Sequence, residues 1–368
     1  MGELTINKEK ILAALSTVQE PDLKKDLVAL NMIRDVVVGV NQVSFTVVLT
    51  TPACPLKELI KRNCTEAIHK HLSPDVMVTI NLTADVTSSR DASPVLPNVK
   101  NIIAIASGKG GVGKSTVTAN LAIALQQSGA KVGIIDADIF GPSIPIMFDV
   151  EDLQPMISQQ NGKNLLKPIM QYGVKLMSMG FLTPADNAVV WRGPMASQAL
   201  RQFFGDVDWG DLDYLLIDLP PGTSDIHLTM VQAVPVTGAV IVTTPQKVAS
   251  ADAAKGLAMF KQPQVNVPIL GIIENMAYFT PEELPENKYY IFGKGGAEEL
   301  AKKFGTVKIG EIPLVQSIRE GGDAGRPVIL NTDSVVAKAF KDAAEQLAQL
   351  VAIRNANVSE TKIVETKI

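Results

Sequence analysis

Eight consecutive residues, Gly108-Lys109-Gly110-Gly111-Val112-Gly113-Lys114-Ser115, have the types and spacing to wrap a chain of phosphates. Glycines let successive backbone N–H groups turn inward, a lysine brings a cation, and a hydroxyl brings a hard oxygen ligand. The pattern is G-x-x-x-x-G-K-[ST], so Lys114 is expected on the β- and γ-phosphates and Ser115 on Mg2+, with Thr116 next in the same ATP-binding run. Two acidic motifs accompany it. Ile135-Asp136-Ala137-Asp138 and Leu215-Leu216-Ile217-Asp218 each close an apolar run with a carboxylate, at strand ends where ligands of open α/β sheets gather. Asp218 is expected on the Mg2+ side. Gly222, four residues on, has no side chain to keep its N–H from a γ-phosphate, so this stretch can sense hydrolysis.

Such residues need strands to deliver them to one edge. Short apolar runs at Asn101–Ala106, Val132–Ile135, Tyr214–Ile217, Ala239–Val242 and Pro268–Ile273 alternate with helical patterns. That alternation predicts an α/β fold, a P-loop NTPase-like doubly wound, mostly parallel sheet with helices on both faces. The glycine loop sits between the first run and a helix expected from Ser115 to about Gln127, closed by Gly129. Ahead of it, residues 88–99 lack apolar periodicity and read as a linker. Residues 1–87 then form a small α+β domain, with helices near Lys8–Val18 and Pro55–His71, a hairpin turning at Asn41-Gln42, and a third strand at Val76–Ile80. The ATPase domain is expected over 100–353, ending in an amphipathic helix from about Ser334 to Val351, and 354–368 as a frayed tail.

Composition narrows the function. Apolar residues make up 46% and charged residues 20%, enough for substantial cores. A formal charge of −4 argues against a wholesale nucleic-acid binder. Two cysteines cannot build a disulfide framework, which points to a reducing compartment. The first residues lack the basic-then-apolar pattern of a secretory leader, and no run of 18 apolar residues spans a bilayer. The expectation is a soluble cytoplasmic protein with neither nucleic acid nor membrane as partner.

On these motifs the chain resembles the Mrp/ApbC-type iron–sulfur cluster carriers, ATPases of the deviant Walker A class, over nearly its whole length. Asp136-Ala137-Asp138-Ile139-Phe140-Gly141-Pro142-Ser143 is similar to that family's first switch, and Val190-Trp191-Arg192-Gly193-Pro194-Met195 and Thr244-Pro245-Gln246-Lys247-Val248-Ala249 to further signatures. The resemblance implies that Lys109 reaches the phosphates of a partner subunit in an ATP-bridged homodimer. It also implies that Asp138 orients the attacking water and Asp136 lies near the metal shell. Asn275, in Glu274-Asn275-Met276, is implied as the base contact, with Pro313 of Ile312-Pro313-Leu314 on the same side. Asp22-Leu23 and Thr51-Pro52-Ala53-Cys54-Pro55-Leu56 resemble the small domain of cluster-assembly factors. ATP hydrolysis coupled to delivery of clusters to apoproteins, alongside cluster scaffolds, is the implied activity. A positioning-type ATPase and an ATP-switched scaffold without its own cluster remain open beside it.

One departure stands out. Family carriers commonly hold a C-x-x-C soon after the Asn-Met element, and residues 275–293 here contain no cysteine. Cys54 precedes Pro55 and is expected at a helix N-cap, where helix-end N–H groups favour a thiolate able to bind a soft metal, or serve structurally. Cys64 lies ten residues along the same helix, roughly 15 Å away at about 1.5 Å per residue, and reads as a core residue. His69 and His71 point to different faces of that helix and make no metal pair. His227, after the second acidic motif, is expected on a helix surface.

Overall fold

A computed structural model of the chain describes residues 6–90, 95–139, 141–160, 162–182, 193–281, 283–284, 286–358 and 363. It divides into a smaller unit running to Thr87 that also takes in Ala348–Val358, and a larger unit from Ser88 to Leu347.

In the smaller unit, α1 (Lys8–Leu15) is opened by Asn7, whose side chain accepts from the Lys10 N–H. A short ladder, β1 (Gln19–Glu20) and β2 (Lys25–Asp26), leads to β3 (Ile33–Val38) and β4 (Gln42–Leu49). These two pair as the expected hairpin, and β5 (Met77–Ala84) joins β4 in parallel after α2 (Lys57–His71). The parallel pairing follows from the helical crossover. Ile11, Leu15, Phe45, Val47, Ile60, Cys64 and Ile68 meet in the core between sheet and helices.

The larger unit is built on an eight-stranded sheet. Its members are β6 (Val99–Ser107), β7 (Val132–Asp136), β10 (Ile169–Gln171), β11 (Val174–Ser178), β12 (Leu212–Asp218), β13 (Gly238–Thr243), β14 (Ile269–Phe279) and β15 (Lys308–Leu314). The order is β10-β11-β7-β12-β6-β13-β14-β15, parallel except for β10 at one edge. The five apolar runs became five of its six interior strands, β11 being the sixth. In β7, β12 and β13 all but one residue, Asp213, are buried, because helices cover both faces. Those helices include α3 (Lys114–Gln127), α5 (Gly193–Gly205), α6 (Asp225–Ala233), α7 (Lys247–Phe260) and α8 (Gly296–Phe304). Short α4 (Ile144–Met147) follows β7, a separate hairpin β8 (Met156–Gln160) and β9 (Lys163–Lys167) precedes β10, and α9 (Gln316–Asp323) follows β15.

The last helix, α10 (Val335–Asn357), continues past the expected end near Val351 and into the stretch expected to fray. Within the smaller unit Ala352 and Arg354 are buried, and the Asn355 amide donates to the Thr87 carbonyl at 2.9 Å. Those contacts hold the final turns.

Candidate functional site

The sheet order determines what meets at its C-terminal edge. Strand β12 lies between β6 and β7, so three strand ends, Ser107, Asp218 and Asp136, are neighbours. Register places Asp218 opposite both Asp136 and Ile105. The glycine loop leaves β6 there and enters α3, whose N-cap is Gly113 at φ +78°. A side chain at Gly113 would be strained, and its Cβ would fall 2.2 Å from the Asn275 amide nitrogen. Gly108 faces a different constraint: a Cβ there would lie 2.1 Å from the backbone of Asp252 in α7. The first glycine is needed because a helix backbone passes against it.

Around this loop the side chains are already tied together. Lys114 Nζ donates to Asp218 Oδ2 at 2.7 Å and lies 3.6 Å from Asp138 Oδ2. Ser115 Oγ donates to Asp218 Oδ2 at 2.6 Å, and Thr118 Oγ1 donates to Asp218 Oδ1 at 2.6 Å. Lys114 is only 6% exposed. Burial by itself would lower its pKa, but Asp218, then Asp138 and Asp136, carry it above the ordinary lysine value. Asp136 is fully buried and accepts from Ser178 Oγ at 2.9 Å and from the N–H groups of Asp138 and Ile144, each at 3.2 Å. Burial, and after it the neighbouring Asp218 carboxylate, push Asp136 up to about 7.

The remaining expected residues fall around this centre. Lys109 is exposed on the loop, its carbonyl accepting from Ser107 Oγ at 3.0 Å. Gly222, at φ +79°, donates its N–H to the Ser107 carbonyl at 2.8 Å, linking the second acidic segment to the end of β6. Asn275, within β14, donates to the Val112 carbonyl at 2.8 Å and clamps the loop. Beside the loop is a cavity of about 370 Å³ lined by Gly113, Thr116, Asn275 and Pro313, with Ile146 and Met147 from α4. Phosphate loop, carboxylates and this cavity are contiguous through Gly113. The donors suit Mg2+, which takes hard oxygen ligands, here the Ser115 hydroxyl and the Asp218 carboxylate. Val190-Trp191-Arg192 and Phe140 of the resembling motifs lie outside the described residues, whereas Gly193-Pro194-Met195 opens α5.

Two expectations are corrected. Helix α2 starts at Lys57 with Leu56 as N-cap, so Cys54 sits in the turn before the helix and not at its cap. It is 7% exposed, packed into the smaller unit's core. Pro55 and Leu56 continue the turn and delay the helix by two residues. His227 is 1% exposed rather than on a surface. Its Nδ1 accepts from the Ser224 N–H at 3.2 Å, closing a capping box at the start of α6, and burial holds its pKa down to about 4. Cys64 is the expected core residue, its thiol pushed up to about 12 by burial. Among the described residues, no three His, Cys, Asp or Glu side chains group to hold a metal ion. Where the C-x-x-C would fall, β14 ends at Phe279, which pairs with Tyr289 through both backbone groups.

Thr118 and Ser178 are the site residues that motif matching missed. Thr118 had a signal: it lies four residues after Lys114, on the same helical face. Ser178 had none, because only the pairing of β11 with β7 sets it opposite Asp136.

Residues 98–348 match a family model described as the NUBPL iron-transfer P-loop NTPase, and residues 8–82 match one described as an iron–sulfur cluster assembly protein. The iron–sulfur cluster carrier protein of Synechocystis is 47% identical over 351 residues, covering 95% of this chain and 99% of that one. The Escherichia coli protein of the same name is 41% identical, covering 92% and 90%. Among solved structures, a nucleotide-binding protein from Archaeoglobus fulgidus in complex with ADP superposes with a TM-score of 0.54 at 43% identity, covering 63% of this chain and 88% of that one.

Proposed function

The chain belongs to the NUBPL-type iron-transfer P-loop NTPase family, and from that premise we propose that it is an ATP-hydrolysing carrier delivering iron–sulfur clusters to apoproteins. The observation that carries the nucleotide half of this reading is the Asp218 cluster, in which Lys114 and Ser115 converge on one carboxylate beside the glycine loop.

Gly108, Lys109, Gly110, Gly111, Val112, Gly113, Lys114, Ser115 and Thr116 form the ATP-binding run, with the nucleoside in the adjacent cavity against Asn275 and Pro313. The phosphates replace Asp218 as the counter-charge of Lys114. Mg2+, when bound, offsets phosphate charge; Ser115 and Asp218 hold it, with Asp136 behind them. Asp138, the least buried of the three acids, orients the water that attacks the γ-phosphorus, and ADP leaves. Gly222 gives up its bond to Ser107 when its N–H turns to the γ-phosphate, so this segment differs between nucleotide states. Lys109, exposed on the loop, reaches the phosphates of a second copy, making ATP the bridge of a homodimer. A cytoplasmic setting agrees with the carrier relatives, and no helix among the described residues is long and apolar enough to cross a membrane.

The cargo is the less conventional half. Both thiols are buried, but Cys64 has no exposure and its thiol is pushed up to about 12, whereas Cys54 keeps 7% exposure in the turn before α2. Cys54 is therefore the thiol that holds or passes a cluster, one per subunit, with the remaining ligands from small thiols or client cysteines. The absence of any three-ligand grouping among the described residues favours a second reading, an ATP-switched scaffold that aids assembly without a cluster of its own.

Steady-state hydrolysis and light scattering test the nucleotide half. Asp138→Asn is expected to bind ATP and lose turnover, and Lys109→Ala to bind ATP yet stay monomeric with a non-hydrolysable analogue. Wild-type turnover in the first and an unchanged dimer in the second would remove both assignments.

A further inference from the structure

Asp218 uses its two oxygens differently. Oδ2 accepts from Lys114 Nζ at 2.7 Å and Ser115 Oγ at 2.6 Å, the two groups that a bound nucleotide recruits. Oδ1 accepts from Thr118 Oγ1 at 2.6 Å, a charge-assisted bond from a hydroxyl that is fully buried. Thr118 Oγ1 also lies 3.0 Å from the Lys114 carbonyl, the ordinary back-bond of a helical threonine. One hydroxyl has one proton, and the shorter, charged acceptor is the stronger claim on it. Ligand can therefore take over the partners of Oδ2, but it cannot reach the partner of Oδ1.

We propose that Thr118 is a positioning residue for the metal: by holding Oδ1 it fixes the Asp218 carboxylate so that Oδ2 presents to Mg2+ once Lys114 turns to the phosphates. The inference rests on the Mg2+–nucleotide reading of this site. Without the hydroxyl, a fully buried carboxylate oxygen is left without that donor. The carboxylate is then free to rotate, and Oδ2 no longer has a fixed direction in which to meet the metal.

The test is the ratio of ADP affinities, measured by titration of each purified full-length variant with ADP in EDTA and in excess Mg2+. Thr118→Val keeps the volume, Thr118→Ala keeps helix propensity, and Thr118→Ser keeps the hydroxyl. ADP binding in EDTA depends on the loop backbone and Lys114 and certifies the fold of each variant. The Mg2+ enhancement is expected to fall about tenfold or more in Val and Ala, as loss of one hydrogen bond to a charged group implies, and to return to within about twofold of wild type in Ser. An undiminished enhancement in Val or Ala overturns the proposal. So does loss of ADP binding in EDTA from both, which would make Thr118 structural only. A wild type that binds ADP with no Mg2+ enhancement sinks the underlying metal reading instead, and Thr118's role with it.

Discussion

Replacing Lys114 with alanine should weaken the empty protein as well as abolish ATP binding. Lys114 is the cation among Asp218, Asp138 and Asp136, at 2.7 Å and 3.6 Å from the first two, and the lysine and all three acids are largely or wholly buried. Removing one partner of a buried ion pair costs about 3–5 kcal/mol, because the remaining charge has no compensation. The protein can recover part of this by protonating Asp136, already pushed up to about 7. The sign follows from linkage. A carboxyl whose folded pKa is raised stabilises below its unfolded pKa, and that stability is lost as pH rises through the folded value. Loss of Lys114 raises Asp136 further and moves this loss to higher pH. The variant's deficit should therefore be smaller near pH 6 and larger near pH 8. Urea unfolding followed by tryptophan fluorescence measures it in the larger unit, where Trp209 is buried. Equal stability of wild type and Lys114→Ala at both pH values would refute the reasoning.

Three further outcomes follow from burial. His227, with a pKa held down to about 4, costs the folded state up to about 3 kcal/mol as pH falls from about 6.5 through 4, so the stability of His227→Gln should fall less steeply than that of wild type over that range in an acid titration. Gly108→Ala forces a Cβ to within 2.1 Å of the α7 backbone and should cost about 1–3 kcal/mol along with nucleotide affinity, read by urea midpoint and ADP titration. Cys64→Ser buries a hydroxyl in the apolar core of the smaller unit and should cost about 1–3 kcal/mol, seen as faster amide exchange in α2 with ADP affinity unchanged.

The phosphate loop and its two acids were legible because each motif is local: a strand, a turn and a helix start lie within one short segment. Five of the six interior strands were legible for a related reason, since the doubly covered stretch of each is an unbroken apolar run. Strands β11 and β15 escaped. Val174–Ser178 carries a lysine, and Lys308–Leu314 alternates charge and glycine with apolar residues and contains Pro313, so neither reads as a buried run. His227 was misplaced because its neighbours look amphipathic, yet Ser224 three residues earlier marks a capping box, with the imidazole accepting where a glutamate usually does. The start of α2 was placed two residues too early, with Cys54 as its cap, because a proline after it looks like a helix start; the helix instead waits for Lys57. The bond between Thr118 and Asp218 joins residues a hundred positions apart, and no local pattern announces it.

A P-loop NTPase of this family that lacks the C-x-x-C after its Asn-Met element must hold a cluster by other thiolates or not at all. Iron and acid-labile sulfide are counted per chain after anaerobic reconstitution, with transfer to an apo-acceptor followed in the same samples. Wild type is expected to take up iron and sulfide and to transfer them in response to ATP, and Cys54→Ser to lose the cluster with ATP hydrolysis intact. Wild-type protein that hydrolyses ATP but takes up no iron or sulfide under any condition would contradict the carrier reading.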